Sequence, residues 1–212
     1  MICLVTYLDN KRKVLSGEIL HYCVLLITKE FPSEDKIAEI MQPYRWENIE
    51  RDENDEIISY PIFTWDWYQI GGRYNGKFKL KIDKDNEYYN WGFYDRDGRN
   101  KRLFYSYLLS KMEGFVKDGR IPSYMYSEED YFNSMGYRDG FLYVDGARID
   151  DLLNFESEIE NCYICIDANG NAIARESWNG KAFVKDEHFD EKLKEIKGNS
   201  QGMFITVLDI HD

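Results

Sequence analysis

The sequence predicts an α+β fold, and three observations carry that prediction. Two nearly continuous apolar runs, at 21–28 (HYCVLLIT) and 203–210 (MFITVLDI), read as strands buried on both faces. Helical periodicities lie between them, and the last fifty residues read as hairpin, helix and strand. The 212 residues are 43% hydrophobic and 16% aromatic, enough to bury a real core.

Taken in order, residues 2–8 read as a first strand, followed by a polar turn at Asp9-Asn10. After the run at 21–28, Ser33 offers a helix N-cap, with Glu34 and Asp35 favourable near the positive helix end. Ile37, Ile40, Met41 and Tyr44 recur at helical spacing, and Pro43 signals the stop. Residues 47–56 (ENIERDENDE) carry six acids and one Arg and read as a solvated loop. An aromatic segment at 60–67 runs into Gly71-Gly72-Arg73, and 76–82 (GKFKLKI) alternates as a half-exposed strand. A turn at Asp95-Arg96-Asp97-Gly98 precedes an amphipathic helix carrying Phe104, Tyr107, Leu108, Met112 and Phe115. Residues 121–147 show no sustained period, whereas Ile149, Leu152, Leu153 and Ile159 mark another helix. Residues 163–166 and 172–174 flank Asp167-Ala168-Asn169-Gly170, a hairpin signature. Asp186 caps a last helix with Phe189, Leu193 and Ile196 inside, and Gly198 ends it. Pairing the two apolar strands centrally, with helices on one face, gives a ferredoxin-like antiparallel sheet. The chain is one domain over 1–212, with residues 50–150 a large insertion between the halves of its core.

Composition excludes some function classes. With 27 Lys+Arg against 39 Asp+Glu the formal net charge is −12, which argues against direct non-specific nucleic-acid binding. No stretch approaches eighteen apolar residues, so no membrane span is expected. Residues 1–8 lack the basic leader of a signal peptide, and the chain reads as cytoplasmic. Of Cys3, Cys23, Cys162 and Cys165, the last two have C-x-x-C spacing. They sit in a strand-like run with no second such pair, so buried structural thiols are the better reading than a redox or zinc site.

No catalytic motif is readable, and no cofactor or metal is expected. Only three histidines occur, none at H-x-x-x-H spacing. The densest candidate is the block from Trp65 to Arg73. Gly71 and Gly72 can let backbone N–H groups converge on an anion, and Arg73 can add a bidentate fork to a phosphate or carboxylate. Trp65, Trp67 and Tyr68 offer flat faces for a base, with Asp66 among them. The structural alternative is a Gly-Gly bend with Arg73 paired to Asp66 and the aromatics in the core. Trp178 either packs over a sheet edge or lines the same pocket. Asp209 and His211, two apart on a strand, share one face and can serve proton transfer.

Charge is uneven along the chain. Residues 126–160 hold ten acids against Arg138 and Arg148 alone, interleaved with tyrosines. Glu128, Glu129, Asp130, Tyr131, Tyr137, Asp139, Asp150 and Asp151 therefore form a candidate surface for a host protein with a basic face. The bland alternative is ordinary solvated surface.

The run Trp65-Asp66-Trp67-Tyr68-Gln69-Ile70-Gly71-Gly72-Arg73 resembles the W-D-W/Y-x-x-I-G-G-R-W core of a family of uncharacterised phage and bacterial proteins. Residues 24–28 leading to Pro43-Tyr44, and the closing strand from Thr206 to His211, resemble the same family. Together these cover about half the chain. Tyr74 stands where that family usually has Trp. The resemblance implies phage or prophage provenance more than chemistry. The expectation is a non-enzymatic binder that blunts a host defence system through its acidic face. The alternatives are a protein that sequesters a nucleotide-like ligand at the Trp65–Arg73 block, and a nucleotide hydrolase using Asp209 and His211.

Overall fold

A computed structural model describes residues 21–30, 32–80, 113, 117–121, 137–138 and 141–211. The first half of the chain contributes β1 (His21–Thr28), α1 (Glu34–Met41), β2 (Glu50–Arg51), β3 (Ile57–Ser59), β4 (Trp67–Ile70) and β5 (Phe78–Leu80). Next come β6 (Tyr137–Arg138), β7 (Phe141–Val144), β8 (Gly146–Arg148), α2 (Phe155–Glu160), β9 (Ile164–Ile166) and β10 (Ala172–Ala174). The chain closes with β11 (Glu176–Trp178), β12 (Phe183–Lys185), α3 (Phe189–Asn199) and β13 (Phe204–His211). This is an α+β fold around a mixed sheet.

The two apolar runs pair as expected. β1 and β13 run antiparallel over eight residues each, from His21 opposite His211 to Thr28 opposite Phe204. Side chains alternate across a strand, so two apolar faces result. Val24, Leu26, Leu208 and Ile210 face Ile37 and Met41 of α1. Leu25, Ile27, Ile205 and Val207 face Phe155 and Ile159 of α2 and Phe189 and Leu193 of α3. Helices therefore cover both faces, not one. A strand that is apolar at every position needs a cover on each side.

The sheet order is β10-β9-β1-β13-β4, with β8 also on β13. It departs from the antiparallel, ferredoxin-like order because β1 pairs parallel with β9, Val24 opposite Ile164. The span expected as an insertion supplies part of the central sheet. β8 covers residues 204–206 of β13 and β4 covers 208–211, end to end along one edge. β5, β7 and β6 form a separate three-stranded sheet, which the aperiodic stretch after 121 did not announce.

Local signals mostly hold. The Ser33 side chain accepts from the Lys36 N–H at 3.1 Å and caps α1. The Asp167 turn closes the β9–β10 hairpin, its carboxylate accepting from the Asn169 and Asn171 N–H groups, with Gly170 at φ +86°. Asp186 Oδ1 accepts from the His188 N–H, but the N-cap of α3 is His188 rather than Asp186, and the helix runs past Gly198, its expected end, to Asn199. Two expectations change. The acidic 47–56 loop contains the β2–β3 ribbon, turned by Asp52, whose carboxylate accepts from the Glu56 and Asn54 N–H groups and is held below its usual range by them. The helix expected from Ile149 is a 3-10 turn at 149–151 followed by α2. The strand at 2–8 and the helix around Phe104–Phe115 lie outside the described residues. No helix among the described residues is long and apolar enough to cross a membrane.

Leu25, fully buried under α2 and α3, is a direct test of the packing. Leu25→Ala is expected to lower unfolding free energy by about 2–5 kcal/mol, read by chemical denaturation.

Candidate functional site

One face of the β1–β13 ladder reads Ile27, Leu25, Cys23, His21 on one strand and Ile205, Val207, Asp209, His211 on the other. Core residues thus give way to polar groups in the last two rows. His21 stands opposite His211, and His211 stands opposite Trp67 of β4 on its other side. The three rings form a triangular cluster. Ring centroids are 5.5 Å apart for His21 and His211, 5.9 Å for Trp67 and His211, and 6.2 Å for His21 and Trp67, all edge-on.

Each imidazole is held by a carboxylate. His21 Nδ1 lies 2.8 Å from Asp209 Oδ1, and His211 Nδ1 lies 2.6 Å from Asp66 Oδ1. A carboxylate oxygen accepts, so Nδ1 carries the proton in both pairs and Nε2 is left as the acceptor nitrogen. Among the described residues neither Nε2 has a hydrogen-bond partner. The pairs differ in depth. The His21 and Asp209 side chains are 10% and 2% exposed, those of His211 and Asp66 24% and 50%.

The glycine turn secures the deeper pair. Asp209 Oδ2 accepts from the Arg73 N–H at 2.8 Å, so both oxygens of this buried carboxylate are engaged. Gly72, at φ +53°, comes so close that an added Cβ would lie 2.5 Å from Asp209 Cβ and Oδ2. Gly71, at φ +72°, donates its N–H to the Val207 carbonyl at 3.0 Å and lies against a second buried carboxylate, Asp145. Asp145 accepts from the Gly76 N–H. The Tyr74 hydroxyl donates to the His21 carbonyl at 3.1 Å. Backbone N–H groups of the turn do converge on anions, and those anions are the protein's own aspartates. The Arg73 side chain is exposed and has no partner among the described residues.

Strand alternation separates Trp67 from Tyr68, and Trp65, which precedes β4, lies on the Tyr68 side. Trp67 is 48% exposed and joins the histidine cluster. Trp65 is buried, donates Nε1–H to the Met41 carbonyl at 2.8 Å, and meets Tyr68 edge-on at 5.0 Å on the α1 side. Trp178 packs elsewhere, against Tyr60 and Phe183, on the β11–β12 ribbon. Asp66 pairs with His211 rather than with Arg73.

Of the expected partner surface, Glu128, Glu129, Asp130, Tyr131 and Asp139 lie outside the described residues, and Tyr137 is described in backbone alone. Asp150 is exposed, 3.5 Å from Arg148, and accepts from the Gly202 N–H at 3.2 Å; Asp151 is half-buried. Glu158 pairs with Lys77 at 2.6 Å, while Glu156 and Glu160 both pair with Lys197. Thus five of the six described acids of this region are engaged by the protein's own cations or N–H groups.

His21 was not singled out from sequence, and neither was Asp145. No sequence signal sets His21 there: the two apolar runs paired end to end put residue 21 against 210, one short of the observed partner 211. Cys162 and Cys165 are buried free thiols. Cys23, just below the histidine cluster, has its thiol pushed up to about 12 by burial. Among the described residues no group of three or more His, Cys, Asp and Glu side chains is arranged to hold a metal ion.

Two outcomes follow. Gly72→Ala combines a left-handed backbone with a collision at Asp209 and is expected to cost clearly more than the roughly 1–2 kcal/mol of backbone strain alone. Gly170→Ala, with open space around it, should cost about that strain and no more, both measured by denaturant melts. At pH 8 Cys23 should alkylate far more slowly than an unperturbed thiol in peptide mapping, because the thiolate is the nucleophile. Its raised value also means that stability present below about pH 9 is lost as pH climbs toward about 12.

Compared with protein-family models, with curated proteins and with solved structures, the chain finds no match in any of the three.

Proposed function

We propose that the chain is a phage- or mobile-element-encoded binding protein that captures a small nucleotide-like anion at the end of its central sheet. The observation that carries this reading is the cluster of His21, His211 and Trp67, with both Nε2 atoms uncommitted among the described residues and Trp67 48% exposed. The chemistry of such a ligand matches what is offered. A base has a π-face and stacks on an indole, a contribution of about 1–3 kcal/mol per base. A phosphate accepts from a guanidinium fork, and an uncommitted imidazole Nε2 accepts from a base N–H or a sugar hydroxyl. Arg73 supplies that fork from a turn whose backbone is anchored on Asp209, so its Cα is held while its side chain stays exposed.

The sheet-end reading stands ahead of the acidic-surface reading because the described acids of 145–160 are largely satisfied internally. A protein that withdraws a nucleotide-derived signal would blunt a host defence system.

Thermal melts against a panel of nucleotides are expected to show stabilisation that grows with ligand concentration, reaching about 2.7 kcal/mol at 100 times Kd. Trp67→Ala and Arg73→Ala should each weaken binding by about tenfold or more, equivalent to roughly 1.4 kcal/mol. A panel without any shift, or two variants that bind as well as the native chain, would overturn the proposal.

A further inference from the structure

The two histidine–aspartate pairs form an acid–base couple that hydrolyses a phosphodiester held at the sheet end, we infer; this deepens the ligand reading above and rests on it. A general acid or base needs three things: a titratable nitrogen within hydrogen-bond reach of the reacting oxygen, a fixed orientation, and a correct tautomer. The structure provides the last two twice over. Asp209 holds His21 and Asp66 holds His211, each through Nδ1, so each ring presents Nε2 in a set direction. A single His–Asp pair on a strand end is a common structural bond. Two pairs on adjacent strands, with ring centroids 5.5 Å apart and no partner for either Nε2 among the described residues, are what a displacement at one phosphorus requires. There the attacking and departing oxygens lie on opposite sides of one atom, and each needs a nitrogen about 3 Å away.

Access assigns the roles. His211 is the more exposed ring and takes the attacking water; His21 lies deeper and serves the leaving oxygen. The water oxygen bonds to phosphorus and gives its proton to His211 Nε2. The bond from phosphorus to the leaving oxygen breaks, and His21, protonated on both nitrogens, gives its Nε2 proton to that oxygen. The products are a phosphomonoester and an alcohol, and the two imidazoles return to their starting forms by proton exchange with solvent. No electron changes hands. Asp66 and Asp209 are positioning residues.

The test uses the full chain with bis(p-nitrophenyl) phosphate and cyclic adenosine monophosphate as probes, turnover read by nitrophenolate release and chromatography, and binding by thermal shift. The native chain is expected to cleave at least one probe. His211→Asn and His21→Asn should each lower kcat by about 100-fold or more. Asp66→Asn should lower kcat while leaving KM near the native value, which loss of fold would not do. His211→Asn and Asp66→Asn lie at the exposed end, so they carry the test if His21→Asn does not fold. Binding of a probe without cleavage overturns this inference and leaves the ligand reading standing. Neither binding nor cleavage overturns both. Cleavage retained in His211→Asn removes the couple.

Discussion

The β1–β13 ladder is the constraint on which the other elements rest. Two strands 190 positions apart at their closing pair, His21 and His211, lie together with no break in register over eight residues. Because both faces of both strands are buried, a slip of one residue would exchange the two cores at once. Val24 and Leu26 would turn toward α2 and α3, Leu25 and Ile27 toward α1, and His21 would leave Asp209. The register that satisfies two helix layers is therefore the one that assembles the histidine cluster. Packing and site geometry share one cause.

Much of this fold was legible, and the reason is local. Ser33 followed by residues at helical spacing, the Asp167 turn, and the Phe189–Leu193 stripe each carry their signal within a few residues. Partner choice along the sheet is different. Either strand of the β9–β10 hairpin can lie beside β1 by hydrophobicity alone, and the parallel β1–β9 neighbour depends on how the intervening chain crosses over. The covering of both faces was written in the unbroken apolar run at 24–28, which an open, one-sided sheet does not need. In the site, the Asp209–His211 face followed from alternation, and so would have the separation of Trp67 from Tyr68. The identity of the anion beneath Gly71 and Gly72 did not, because Asp145 and Asp209 arrive there through tertiary pairing.

Charge behaves similarly. The acids between 145 and 160 look like surface in one dimension, yet Lys77, Arg148, Lys197 and the Gly76 N–H engage them in three. Most of these pairs are partly exposed, so each contributes modestly. Their larger effect is to leave less unsatisfied negative charge on the described surface than the composition suggests.

The seam at Val207 has a consequence for how the chain can vary. The Val207 carbonyl accepts from the Gly71 N–H at 3.0 Å, and its N–H donates to the Asp145 carbonyl at 2.7 Å. Residues 72–144 therefore depart from and return to a single β13 residue, with β4 and β8 sealing the edge on either side. The closure entropy of such an excursion grows only logarithmically, by about 0.6 kcal/mol for each doubling of length. Residues could be added between β5 and β6 at little closure cost to the ladder, whereas Arg73, Gly76 and β5 are fixed by Asp209, Asp145 and the core. Related chains could thus differ widely in length here while keeping the same pair of histidines side by side.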